Sequence, residues 1–386
     1  MQAQARPLEN YNKVLTIVRF CSRLIGVDVV NPNYKFNAVT AFVAIAIAWN
    51  FLCSMNMVYK DIATDWTVLL DVFAPISCAT QGAIKLYSVT RYSELYRQLA
   101  LEIGEIYEKY EKIGRKYKKK LQEWNGSMRK ILIIGALIYF ASACLALIAP
   151  LIVYILKGER HLIILCQMPY IDATTNQGYF ITIVYNILCV FIAAFGLYAF
   201  DLYVFLFLTH SMFYYDIFEL KVSDLHELLQ HNSKDKRITP TLNDIAEWHQ
   251  YYLEFTDNCN FIFFWTITSH MICTTLGILS TLLIIMLKDW PGAYPYIFLC
   301  FVWLYMYSIL GTRVEICNDQ FCDGIYDIQW YDLEVADQKT VLLMLTKSQV
   351  PRIITIAGVE PLSVNTALKI TRSIYSLAMM VMQFSK

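Results

Sequence analysis

Polar side chains set at helical spacing within an apolar run are the residues of this sequence best placed to do chemistry. Between positions 363 and 384, Asn365, Lys369, Arg372, Ser373, Ser376, Met380, Gln383 and Phe384 fall within one narrow arc when the chain is wound at about 100° per residue. Ile370, Ile374, Leu377, Ala378, Val381 and Met382 lie away from it. At about 1.5 Å per residue the run is roughly 33 Å long, enough to cross a bilayer. A lysine or arginine at the bilayer centre costs about 2.5–3.5 kcal/mol, so a stripe that starts with Lys369 and Arg372 is expected to meet water. That water is either an ion path or the headgroup interface to which both bases snorkel. One stripe cannot enclose a pore, so conduction along it requires several copies of the helix around an axis.

Other reactive groups offer less. Glu315, Asp319, Asp323, Asp327, Asp332, Glu334 and Asp337 form a run without a base. Such a run either concentrates cations at a vestibule or is a solvated face. His161, His210, His226, His231 and His249 lie outside the apolar runs, and His270 stands among Thr268, Ser269 and Met271 as a hydrogen-bonded structural residue. Asp71 and Asp201 interrupt apolar surroundings and are expected to pair with polar neighbours or line a wet cavity. The 11 cysteines show neither C-x-x-C nor Cys/His metal spacing and read as small core residues. A P-loop, H-E-x-x-H, G-x-S-x-G and a dinucleotide glycine fingerprint are all missing, so no enzyme, metal or cofactor is expected.

The elements that position these residues follow from composition. With 386 residues, 57% hydrophobic and 15% aromatic, the chain is too apolar for a soluble protein and is expected to be an all-α polytopic membrane protein. Apolar runs at 36–59, 66–84, 131–156, 173–200, 258–287, 290–312 and 363–384 each suit a spanning helix, giving seven. No cleavable leader is expected, so the first span directs insertion. Lysine and arginine concentrate before the first run, between Lys85 and Lys130, between Lys221 and Arg237, and between Arg313 and Arg352. Lys60, Lys157, Arg160, Lys288 and Lys386 are left for the other side. By the positive-inside rule the N-terminus is cytoplasmic and the C-terminus extracellular. A G-protein-coupled receptor would need the reverse orientation. The sequon Asn125-Gly126-Ser127 then faces the cytoplasm and stays unglycosylated.

The expected organisation is a cytoplasmic segment at 1–36, four spans within 37–209 with a helical cytoplasmic loop at 86–129, and a cytoplasmic helical region at 210–257. Two spans follow within 258–317, then a cytoplasmic anchor at 318–362 and the last span with its outer end at 363–386. Residues 91–124 suit an amphipathic extension of the second span, and Asn243 or Asp244 suits the cap of a helix after Pro240. Residues 336–349 carry a further apolar patch at Val341, Leu342, Met344 and Leu345. These inner faces either pack within one subunit or join neighbours.

The C-terminal pattern of Trp330, Gln349-Val350-Pro351, Ile356-Ala357-Gly358, Pro361-Leu362-Ser363 and Tyr375-Ser376 leading to Gln383-Phe384 resembles the insect odorant receptors, in particular their ligand-tuning subunits. Seven residues separate Tyr375 from Gln383, which favours that branch over the related gustatory receptors. The resemblance implies one subunit of a heterotetrameric, odorant-gated, non-selective cation channel formed with the odorant receptor co-receptor (Orco). It implies a plasma-membrane location in olfactory sensory neurons, with lipid, cations and a small volatile odorant as partners and no nucleic acid. The alternatives are a gustatory-type homotetramer and a metabotropic seven-helix receptor. The resemblance assigns Met380 and Phe384 to the gate and Gln383 to a pore-facing position, beside Ser373 and Ser376 of the same stripe. It also places an odorant pocket among the second to sixth spans. Here that volume is expected to be lined by Leu70, Phe73, Ser77, Tyr139, Ser142, Ala146, Ile183, Ile187, Tyr294 and Tyr296, and to suit an aromatic or heterocyclic ligand.

Overall fold

Helix follows helix along this chain because its apolar positions recur at three- and four-residue intervals. The computed structural model describes residues 6–166, 168–231, 235–288 and 290–384. Among them the helices are α1 (Pro7–Leu24), α2 (Ala38–Asp61), α3 (Val68–Arg91), α4 (Ser93–Ile113), α5 (Arg115–Lys157), α6 (Asn176–His231), α7 (Ile238–Leu287), α8 (Ala293–Tyr326), α9 (Val335–Ser348) and α10 (Val364–Phe384). Pro7 opens α1 where its missing N–H costs nothing. Asn37 caps α2 by accepting from the amides of Val39 and Thr40 at 3.0 and 3.1 Å.

Five of these helices, α2, α5, α6, α7 and α8, are long and apolar enough to cross a membrane. The chain is a multi-pass membrane protein. Against the seven expected spans, α3 and α10 are not selected on length and apolarity alone, because α3 carries Asp71, Gln81 and Lys85 and α10 carries Lys369 and Arg372. At 56 residues α6 is about 84 Å long, far more than the roughly 30 Å of a hydrocarbon core. Its second half therefore stands clear of the apolar layer, as does the first half of α7. The runs at 173–200 and 258–287 are only the apolar parts of these two helices.

The projecting halves pack with α1, α4, the start of α5, the end of α8 and α9 into a second, aromatic core. Tyr214 stacks on Trp248 with ring centres 4.9 Å apart, Tyr252 on Phe321 at 4.2 Å, and Tyr11 on Tyr107 at 4.9 Å. Burial here depresses the His249 imidazole to about 4 and raises the Glu102 carboxyl, although the Tyr214 hydroxyl donates to Glu102 at 2.6 Å.

Two local expectations give way. Residues 91–124 do not extend the second span, because the helix stops after Arg91 and α4 ends at Gly114, whose extended backbone turns the chain into α5. α5 then continues from Arg115 straight into its apolar part, with Tyr117, Leu121, Asn125, Met128, Leu132, Gly135 and Tyr139 buried along one face. Neither Asn243 nor Asp244 caps α7, which begins at Ile238, before Pro240. Asp244 is drawn instead to Lys221 of α6, a charge that burial would otherwise strand.

The path into α10 is tightly specified. Thr355–Ile356 pairs antiparallel with Glu360–Pro361 across a turn in which Ala357 and Gly358 have φ of 53° and 71°. The Ala357 amide donates to Thr268 Oγ1 of α7 at 2.9 Å. A Cβ on Gly311 of α8 would stand 1.9 Å from the Leu362 carbonyl oxygen, so glycine lets this segment lie directly on α8. Thr312 then accepts from the Val364 amide at 2.9 Å and fixes the start of α10.

Candidate ligand cavity, buried ion pair and last helix

At the end of the bundle remote from the aromatic core, the α5–α6 connection contributes Ile163 and Ile164 to the wall of a cavity of about 200 Å³. α2 gives Val43, Ile47 and Asn50, α3 gives Pro75, Cys78 and Gly82, and α5 gives Tyr139, Ser142 and Ala146. α6 contributes Cys189, Leu197 and Phe200, while Trp290 and then Pro295, Tyr296 and Leu299 at the start of α8 complete the wall. The surface is apolar with a few isolated polar atoms, the composition of small-molecule pockets. An apolar cavity of about 150 Å³ holds benzene, so this one suits a ligand of roughly ten heavy atoms.

Tyr139 belongs to both the cavity wall and a buried polar centre beside it. Its hydroxyl donates to Asp201 Oδ2 at 2.6 Å, and Tyr307 of α8 donates to Oδ1 at 2.5 Å. Lys85 of α3 pairs with the same carboxylate, both side chains being essentially inaccessible. Four helices thus converge on one carboxylate. His270 stacks on Tyr307 at 4.0 Å between ring centres and meets Gln81 Oε1 at 2.9 Å. Lys85 is therefore a buried partner of Asp201 within the bundle and not a base free in a loop. Sequence spacing could not reveal the pair, because its members stand 116 positions apart.

α10 presents the opposite situation. Ala367, Ile374 and Ala378 pack onto the bundle, whereas Asn365, Lys369, Arg372, Ser373, Ser376, Met380 and Gln383 are exposed on the single chain. Lys369 lies 3.3 Å from Glu360, and Ser373 donates to the Lys369 carbonyl at 3.0 Å. Arg372, Ser376 and Gln383 have no polar partner among the described residues. The side chain of Phe384 lies outside the described residues. Toward its outer part α10 is tied to the rest as well: the hydroxyls of Tyr305 and Thr371 meet at 3.2 Å, and Ala378 shares a packed cluster with Leu70, Ile284 and Trp290.

Of the pocket residues expected from sequence, the cavity gathers Tyr139, Ser142, Ala146 and Tyr296. Ser77 stands behind it, 3.1 Å from the Tyr296 hydroxyl. Leu70 faces the cluster with α10, and Tyr294 is exposed in a neighbouring surface groove with Phe298. Phe73, Ile183 and Ile187 are half-buried and outside the cavity wall. Sequence reasoning missed Asn50, Cys189 and Trp290. Asn50 had a signal, being an amide within the apolar run of the first span.

A helical, multi-pass membrane protein with a ligand-sized apolar cavity and one partly unpartnered helix has the make-up of a membrane receptor. The 7tm Odorant receptor family model matches residues 65–375, and the chain belongs to that family. It is similar to the Drosophila melanogaster protein named Putative odorant receptor 83c, with 26% identity and 99% of each chain covered. Its fold is that of the insect olfactory receptor OR5 from Machilis hrabei, solved alone (TM-score 0.78) and in complex with eugenol (TM-score 0.77). Both comparisons cover 97% of each chain at 13% identity.

Proposed function

We propose that the chain is the odorant-binding subunit of an odorant-gated, non-selective cation channel, assembled with co-receptor subunits in the plasma membrane of olfactory sensory neurons. The observation that supports this reading is the pairing of an apolar cavity with a helix on which Arg372, Ser376 and Gln383 of the polar stripe have no partner among the described residues. In this reading seven helices span the bilayer, α3 and α10 being the two that tolerate charge. The N-terminus is cytoplasmic, and the aromatic core with α9 forms the inner domain. Leu342 and Leu343, more than 60% exposed on α9, suit contact with neighbouring subunits. α10 lines the pore, with Met380 and Phe384 at the gate.

Coupling between the two regions has a physical route. Trp290 forms part of the cavity wall and also belongs to the cluster that holds Ala378 of α10. An odorant that packs better when this cluster is rearranged favours the open state by its difference in affinity, typically about 1–3 kcal/mol. Expressed with the co-receptor, the chain is expected to pass cation current on odorant application without a G protein. Current abolished by blocking G-protein signalling overturns the reading.

A further inference from the structure

The cavity wall holds one polar atom whose state points to the chemistry of the ligand. Asn50 Oδ1 is shielded and has no hydrogen-bond partner among the described residues, while Asn50 Nδ2 faces Cys189 Sγ at 3.9 Å. The neighbouring hydroxyls are engaged: Tyr139 donates to Asp201, and Tyr296 meets Ser77. Ser142 adds a hydroxyl able to give or accept, so it does not select between ligands. Asn50 Oδ1 is thus an acceptor on this wall without a donor; shielded as it stands, it meets a ligand once the amide turns toward the cavity. Its place strengthens the argument, since from Ala41 to Leu52 α2 is otherwise aliphatic or aromatic. A polar group inside a spanning helix is retained at a cost unless something satisfies it.

Resting on the odorant-receptor reading above, we propose that Asn50 selects ligands carrying one hydrogen-bond donor, an alcohol, phenol or N–H heterocycle, on an apolar body of about ten heavy atoms. A ligand O–H or N–H donates to Asn50 Oδ1, and the body fills the space between Pro75, Ala146 and Phe200. A methylated analogue leaves the acceptor unsatisfied and adds bulk beside it.

The test uses matched pairs of odorants, 2-phenylethanol with its methyl ether and indole with 1-methylindole, on cells expressing the chain with the co-receptor. A wider set of alcohol and ether pairs of seven to twelve heavy atoms accompanies them. The donor member is expected to be about tenfold more potent than its methylated partner. Asn50→Leu is expected to bring that ratio close to one by weakening the donor member about tenfold more than its ether. Equal potency within pairs on the native chain overturns the proposal, as does Asn50→Leu weakening both members alike, or gating by donor-free esters alone. Should the variant fail to reach the surface, the ratio on the native chain still decides. A chain that no odorant opens would instead sink the channel reading itself.

Discussion

The centre of the bundle and its last helix both hold charged and polar side chains where hydrocarbon would be simpler, but they satisfy them differently. Around Asp201 the charges are matched within the chain: Lys85, Tyr139 and Tyr307 surround one carboxylate, and at the edge His270 meets Gln81 through Nδ1 while its Nε2 has no hydrogen-bond partner among the described residues. Along α10, Arg372, Ser376 and Gln383 are left without partners among the described residues. A carboxylate whose partners all lie within the chain defines a fold, since removing any of them strands the others. An unsaturated stripe is completed from outside, by water or another subunit. The first region is completed from within the chain, and the second is left to its surroundings.

The sharpest way to break this contrast is Asp201→Ala. It leaves Lys85 buried and uncompensated, and a loss of about 3–5 kcal/mol is expected, measured as a fall in thermal stability and surface expression. Lys85→Met combined with Asp201→Leu removes both charges and is expected to recover much of that loss. Full stability of Asp201→Ala alone would show the pair to be dispensable for the fold.

His249 is an intermediate case. It is buried in the aromatic core, and its Nε2 has no partner among the described residues. Its pKa of about 4 in the folded chain lies below the ordinary 6.5, so the unfolded chain binds a proton first as pH falls. Stability is full above pH 6.5, declines as pH falls toward 4, and the loss attributable to His249 reaches about 3 kcal/mol. His249→Gln is expected to flatten that part of a thermal stability profile. Tyr139→Phe is gentler, since the ring stays and Asp201 keeps Tyr307 and Lys85. About 2 kcal/mol of stability and a several-fold shift in odorant sensitivity are expected, with ion selectivity unchanged.

Much of this contrast was legible in the order of residues. The polar arc of α10 follows from helical spacing alone, and the apolar runs mark the membrane-embedded parts of the long helices. Helix length was harder to see. Lys116, Lys118, Lys119 and Lys120 suggest a loop, yet the buried positions Tyr117, Leu121 and Asn125 keep three- and four-residue spacing and carry α5 through. Periodicity was the better guide there, and charge the worse. Within the cavity, Tyr139, Ser142, Ala146 and Tyr296 converge because each faces inward on its helix, whereas Ile187, about 200° round α6 from the inward-facing Cys189, points away, and Ile183 lies more than a turn before it. Which face of an apolar helix turns inward is decided by packing, and α6 is apolar nearly all round. The Lys85–Asp201 pair depends on three-dimensional closure and had no local signature beyond an acid in apolar company.

The smallest structural effect carries the most information. Single cysteines at Ser373, Ser376 and Gln383 remove no contact that the chain makes with other helices, so stability is expected to change by no more than about 0.5 kcal/mol. Ile374→Cys and Ala378→Cys, on the packed face, serve as controls. If the exposed stripe borders a shared aqueous path, water-soluble thiol reagents will modify the first three and alter current, while the two controls stay silent. Reaction confined to stimulated cells would place a gate between the reagent and the stripe. Silence at all three positions, at rest and under odorant, would mean that lipid or a neighbouring protein covers the stripe. The polar residues of α10 would then be an interface rather than a conduit, and the distinction between a self-satisfied centre and a water-completed helix would fail.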